Sequence, residues 1–98
     1  MIKYLKDEDY HEIIKKGVHL VDFYAEWCGP CKMLGSVLET IEDIDILKVN
    51  TDEHPDIARL YGVMSIPTLV YIKDGETITK EIGFRTKAEI ENTIKTIK

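Results

Sequence analysis

The chain has 98 residues, 44% of them hydrophobic and 32% charged, so a single domain covering residues 1–98 is expected. Its formal net charge of −5, with lysines scattered among the acids, argues against the basic face that a nucleic-acid-binding protein needs. Charges interrupt every apolar run in the first ten residues, MIKYLKDEDY, so we predict neither a signal peptide nor a membrane span and expect the cytoplasm.

The first half of the chain predicts strands alternating with helices. Residues 2–5 suit a short edge strand, and residues 7–17 have apolar side chains at helical spacing. The run VHLVDFYA, residues 18–25, is almost continuously apolar, which is typical of a strand buried on both faces of a sheet. From Pro30 onward we predict a helix with an apolar stripe that consists of Met33, Leu34, Val37, Leu38 and Ile41.

The second half of the chain continues this alternation and then adds a hairpin. Residues 46–49 predict another apolar strand, and residues 52–61 predict a short helix. Residues 68–72 and 77–82 are expected to pair with each other because Asp74-Gly75, a strong hairpin signal, lies between them.

The C-terminal segment predicts a helix with a defined start. Thr86 and Glu89 have the spacing of a capping box, and the buried face should carry Ile90, Ile94 and Ile97. The complete order is β-α-β-α-β-α-β-β-α. This order predicts an α/β fold in which a central mixed β-sheet is flanked by helices on both faces.

Both cysteines of the chain, Cys28 and Cys31, lie in the sequence WCGPC, where the buried strand meets the following helix. A zinc site, an inert structural disulfide and a redox pair are the three alternatives. Structural zinc usually needs four Cys or His ligands, but the chain has no second cysteine pair and only scattered histidines, so we predict no metal site. A reducing cytoplasm disfavours the structural disulfide.

The redox interpretation of Cys28 and Cys31 has a physical basis beyond their spacing. The positive end of the helix dipole and the free N–H groups of the first turn stabilise a Cys28 thiolate. The i, i+3 spacing brings Cys31 within reach of Cys28 and deeper into the fold. We therefore expect an exposed nucleophile, Cys28, and a sheltered resolving thiol, Cys31, as two-step thiol–disulfide exchange needs.

Asp22 is an acidic residue inside the strand that is predicted to be the most buried, where an unpaired carboxylate is costly. Either the strand is exposed on that side, or a nearby donor satisfies Asp22, or burial raises its pKa so that it can exchange protons with the buried thiol. Lys48, in the adjacent apolar strand, is the expected charge partner of Asp22.

Four segments together resemble the thioredoxin family in order and approximate spacing over almost the whole chain. They are DFYAEWCGPCK, KVNTDE, IPTLVYIKDGE and the later Gly83. The resemblance implies the thioredoxin fold, with a cis peptide between Ile66 and Pro67 that faces the cysteines. It also implies that Asp22 assists proton transfer and that Lys48 interacts with it. Tyr24 departs from the pattern, because the family often has tryptophan there.

The resemblance further implies a flat apolar surface on which substrate proteins dock, with the backbone of Ile66 pairing with an extended substrate segment. The residues that would form this surface are Trp27, Gly29, Pro30, Ile66, Pro67 and Gly83.

The implied activity is that of a protein-disulfide reductase and dithiol electron carrier whose only redox group is a reversible Cys28–Cys31 disulfide. Disulfide-containing proteins would be its substrates. A thioredoxin-reductase-type donor would recharge it, because the chain has no Gly-rich dinucleotide motif. We expect a monomer. An oxidase or isomerase, and an interaction module with incidental cysteines, stay open as alternatives, while the Gly29-Pro30 spacer disfavours a glutaredoxin-like activity.

Overall fold

The computed structural model describes residues 1–98, which form five strands and four helices in the predicted order. The elements are β1 (Ile2–Tyr4), α1 (Tyr10–Ile14), β2 (Val18–Tyr24), α2 (Gly29–Leu38), β3 (Asp45–Asn50), α3 (Pro55–Leu60), β4 (Thr68–Lys73), β5 (Glu76–Ile82) and α4 (Lys87–Ile97).

All five strands belong to one sheet in the order β1-β3-β2-β4-β5. Strand β3 pairs in parallel with both β1 and β2, whereas β4 is antiparallel to its neighbours β2 and β5. The predicted mixed sheet of an α/β fold is therefore confirmed. None of the helices is long and apolar enough to cross a bilayer.

The two faces of the sheet bury separate apolar clusters because side chains alternate along each strand. One face packs against α2 and α4 and includes Leu20, Ile46, Leu69, Leu34 and Ile90. The opposite face packs against α1 and α3 and includes Val21, Phe23, Leu47, Tyr10 and Ala58. By the same alternation, Asp22 and Lys48 lie on the face that α2 covers.

The apolar stripe predicted for α2 is wrong at one end and too long at the other. Met33 is 61% exposed, whereas Leu34 and Leu38 are fully buried. Successive residues are about 100° apart around a helix, so the Met33 side chain lies beside the buried face that carries Leu34 and reaches the surface. Ile41 is buried but lies beyond the end of the helix at Leu38.

Helix α3 begins at Pro55, later than the predicted Asp52. The side chain of Asn50 accepts hydrogen bonds from the backbone amides of Asp52 and Glu53, at 2.8 and 3.3 Å, and holds a turn there. A residue before proline is also disfavoured in the helical region, and His54 has φ −129° and ψ 60°.

The predicted turn and cap signals are confirmed. Asp74 and Gly75 both have positive φ, 50° and 83°, as the tight turn between β4 and β5 requires. At the start of α4, Thr86 Oγ1 accepts a hydrogen bond from the Glu89 amide at 3.2 Å. The Glu89 side chain, through Oε1, accepts one from the Thr86 amide at 2.9 Å.

Candidate active site

The Cys28–Cys31 disulfide lies at the junction between β2 and α2. Cys28 is the N-cap residue of α2, and its Sγ accepts a hydrogen bond from the Cys31 amide at 3.2 Å. Pro30 lies in the first turn, where its missing N–H leaves no donor unsatisfied. A free N–H group and the positive end of the helix dipole thus converge on the Cys28 sulfur, which favours its thiolate once the disulfide is reduced.

Neither cysteine is exposed in the disulfide form: Cys28 is 5% and Cys31 is 3% accessible. The expectation of an exposed Cys28 is therefore wrong for this state. Ala25 and Ile66 pack with the two cysteines, and Cys28 Sγ lies 3.9 Å from the carbonyl oxygen of Ile66. Ile66 comes from the segment before β4, so tertiary packing covers a sulfur that the helix alone would leave exposed.

Asp22 is completely buried, which excludes the alternative that its strand is exposed on that side. It is in register with Lys48 on β3 and Leu69 on β4. The Lys48 Nζ lies 3.4 Å from Asp22 Oδ2, but neither carboxylate oxygen receives a well-directed hydrogen bond. Burial raises the pKa of Asp22 to about 6, and the opposing Lys48 charge limits the rise.

A cavity of about 230 Å³ lies beside α2, near β1 and the end of β2. Cys31 and Lys48 both line it, so the second cysteine and the partner of Asp22 share one space. Its polar rim comes from Glu26, Lys32 and Glu39.

The six residues implied for substrate docking differ in their accessibility. Trp27 is 72% exposed, and Gly29 and Pro30 are also exposed. Ile66 and Gly83 are half-buried, and Pro67 is buried, so Pro67 supports this surface from below. The peptide bond between Ile66 and Pro67 is cis, as the resemblance implies.

Contacts between loops hold three of these six residues in place. The Gly83 amide donates to the Pro67 carbonyl at 2.8 Å, so the segment after β5 is fastened to the segment before β4. The indole N–H of Trp27 donates to Asp52 Oδ2 at 3.0 Å.

Three further residues contact or adjoin these side chains although the sequence analysis did not single them out. Asp52 orients Trp27, and the only signal for it is its place in the segment KVNTDE. Met64 is 95% exposed and lines a groove of about 220 Å³ together with Trp27 and Ile66. Tyr4 lies against Lys48, which only the β1–β3 register reveals. No group of three or more His, Cys, Asp or Glu side chains converges as a metal site would require.

A mixed α/β sheet with a Cys-X-X-Cys disulfide at the N-terminus of a helix defines the class of thiol–disulfide oxidoreductases. Comparisons with known proteins then specify the family. The thioredoxin family model matches residues 1–96. A thioredoxin of Chlamydia caviae is 47% identical over 91 residues, which cover 89% of each chain.

Further matches agree with this family. A thioredoxin of Staphylococcus epidermidis is 49% identical over 89 residues, which cover 86% of each chain. The solved structure of a mutant thioredoxin from Halobacterium salinarum superposes with a TM-score of 0.88 at 34% identity, over 97% of this chain and 88% of that one. The chain belongs to the thioredoxin family and is a thiol–disulfide oxidoreductase.

Proposed function

We propose that this protein, a single thioredoxin domain, reduces protein disulfides and carries electrons as a dithiol. The observation that carries the proposal is the position of Cys28 at the N-terminus of α2, where its Sγ accepts a hydrogen bond from the Cys31 amide. Stabilisation of its thiolate makes Cys28 the attacking nucleophile of the pair.

The reaction proceeds in two displacements. The Cys28 thiolate attacks one sulfur of the substrate disulfide, so an S–S bond to Cys28 forms while the substrate S–S bond breaks and one substrate thiolate leaves. Cys31 then loses its proton and attacks the Cys28 sulfur, which releases the second substrate thiolate. The substrate gains two electrons, and the protein is left with the Cys28–Cys31 disulfide.

Asp22 and Lys48 serve the second displacement in this proposal. With a pKa of about 6, Asp22 is largely ionised at neutral pH and can take the proton of Cys31, which lines the same cavity as Lys48, the partner of Asp22. Lys48 balances the carboxylate charge from 3.4 Å.

Substrate proteins dock on the surface around the disulfide, and Ile66 pairs through its backbone with an extended substrate segment. Trp27, Gly29 and Pro30 contribute exposed area to this surface, while Pro67 and Gly83 shape it. A separate thioredoxin-reductase-type donor returns two electrons to the disulfide. The reducing direction suits the cytoplasm, where thiols are kept reduced, and we propose that the protein acts as a monomer.

Replacement of the resolving cysteine tests this mechanism. The Cys31→Ser variant can complete only the first displacement, so we expect mixed disulfides between Cys28 and cellular proteins, visible on non-reducing gels and abolished by dithiothreitol. Cys28→Ser is the matched control and should trap nothing. If Cys31→Ser also traps nothing, the proposed mechanism is wrong.

The direction of electron flow needs a second measurement. Wild-type protein should reduce insulin when dithiothreitol supplies electrons, and also when NADPH and a thioredoxin reductase do so. Its equilibrium with glutathione should lie toward the disulfide of this protein, since a reductase couple is more reducing than glutathione. An equilibrium toward the dithiol would favour an oxidase or isomerase.

A further inference from the structure

The Lys48 ammonium lies over two adjacent aromatic rings as well as beside Asp22. Its Nζ is 4.8 Å from the centroid of the Tyr24 ring and 5.4 Å from that of Tyr4. The two rings meet edge to face, with centroids 6.2 Å apart and planes at 84°. Both distances are within the range in which a cation is attracted to a ring face.

The sheet register creates this arrangement. Tyr4 on β1 is directly opposite Lys48 on β3, and Lys48 is directly opposite Asp22 on β2. Tyr24 lies two residues after Asp22 on β2, so its side chain is on the same face of the sheet. Three adjacent strands therefore bring two rings, one cation and one carboxylate together.

The ion pair alone does not explain why the ammonium stays at this position. A lysine side chain is long and flexible, its ammonium is strongly hydrated, and the cavity beside it offers a way toward water. Asp22 receives no well-directed hydrogen bond from it. On the side of α2, Gly35 leaves just enough room, because a Cβ atom there would be 3.2 Å from the Nζ.

We propose that Tyr4 and Tyr24, here termed the aromatic clamp, are positioning residues that hold the Lys48 ammonium beside Asp22. Their effect on the reaction rests on the proposed function, in which Asp22 accepts the proton of Cys31. With the clamp in place, the nearby positive charge favours the ionised, proton-accepting form of Asp22 at neutral pH.

Other charged groups around the clamp do not supply this restraint. Glu26, Lys32 and Glu39 line the same cavity, but none of them forms an ion pair with Lys48. On the other side of Asp22, β4 contributes only the apolar Leu69. Burial, with the nearby Glu26 charge, raises the pKa of Tyr24, so its ring faces Lys48 as a neutral phenol.

The clamp is tested by the titration of Asp22 in oxidised protein, followed by NMR of ¹³C-labelled aspartate carboxyl groups. In Tyr4→Leu and in Tyr24→Leu the ammonium should move toward water, so the Asp22 midpoint should rise by about half a pH unit in each. Tyr4→Phe and Tyr24→Phe are the matched controls: they keep the ring face and should keep the wild-type midpoint. Tyr4 is 50% exposed on an edge strand, so its variants should fold.

A Lys48→Met background isolates the part of the effect that passes through the cation. There the leucine variants should produce no further rise, as in a double-mutant cycle for a direct coupling. If the leucine variant of one tyrosine leaves the Asp22 midpoint unchanged or lowers it, that tyrosine is not part of the clamp. If neither leucine variant raises the midpoint, the proposal is overturned. The same rise in the phenylalanine variants, or in the Lys48→Met background, also overturns it.

The titration does not depend on activity, so it separates the clamp from the proposed function. If wild-type protein fails to reduce insulin with dithiothreitol while the Asp22 midpoints behave as expected, the function is wrong and the clamp stands. If insulin is reduced but the midpoints do not move, the clamp is wrong and the function stands.

Discussion

Asp22 makes the stability of the fold depend on pH. Its carboxyl group is fully buried, and its pKa of about 6 lies above the ordinary value of 3.8 that it has when the chain is unfolded. Between these two values the folded protein binds the proton more tightly than the unfolded chain does. The fold therefore loses stability as pH rises from about 4 to about 6, and above that range the full cost of burying the charge is present.

Replacing Asp22 by Asn removes this titration while preserving the shape of the side chain. We compare the free energy of unfolding of Asp22→Asn with that of wild type at each pH. This difference should rise by about 3 kcal/mol in favour of Asp22→Asn from pH 3 to pH 7, because the two pKa values differ by about two units. Urea unfolding of both oxidised proteins at several pH values measures the difference. Other titrating groups are common to both proteins and cancel.

The control for Asp22→Asn is the same change at an exposed aspartate. Asp7 is exposed and has no ion pair, so Asp7→Asn should stay within about 0.5 kcal/mol of wild type. A difference between Asp22→Asn and wild type that stays constant with pH would show that the buried carboxyl group does not have a raised pKa.

At the scale of the elements, turn and cap residues in the sequence predict where the hairpin and α4 begin. Asp74-Gly75 located the hairpin, and the Thr86–Glu89 pair located the start of α4, because each signal depends on a local backbone geometry. The start of α3 was misplaced because the Asn50 side chain holds a local turn that competes with the helix. Hydrophobic spacing does not reveal that competition.

The capping box of α4 can be tested through Thr86. Thr86→Ala removes the hydroxyl that accepts a hydrogen bond from the Glu89 amide. This loss should lower the free energy of unfolding by about 1 kcal/mol. Thr96→Ala is the matched control in the same helix: its hydroxyl donates to the Thr93 carbonyl, and alanine there favours helix, so little change is expected. Chemical denaturation measures both, and an equal loss in the two variants would contradict a specific role of the cap.

At the scale of the whole molecule, sequence reasoning reached the parts of the site that are close in the chain or that violate a burial pattern. Cys28 and Cys31 were found by spacing, and Asp22 by its charge in an apolar strand. The burial of Cys28 and the contact of Tyr4 with Lys48 depend on how distant segments pack and on which strands pair. Such contacts are not encoded in any local period, so they emerge only from the folded chain.

The proposed docking surface comes from several segments, and Met64, which lines a groove with Trp27 and Ile66, is the most exposed apolar residue beside it, at 95%. Met64→Glu should lower kcat/KM for insulin about tenfold through KM, because partial burial of one apolar side chain contributes roughly 1.5 kcal/mol. Reduction of a small disulfide such as 2-hydroxyethyl disulfide should be unchanged, since it needs no docking surface. Ile78→Glu, at a 47% exposed position on β5, is the matched control for the lost apolar area and added charge. If Met64→Glu slows reduction of insulin and of the small disulfide equally, its effect is on the cysteines themselves. If Met64→Glu and Ile78→Glu slow insulin reduction equally, the added negative charge explains the loss.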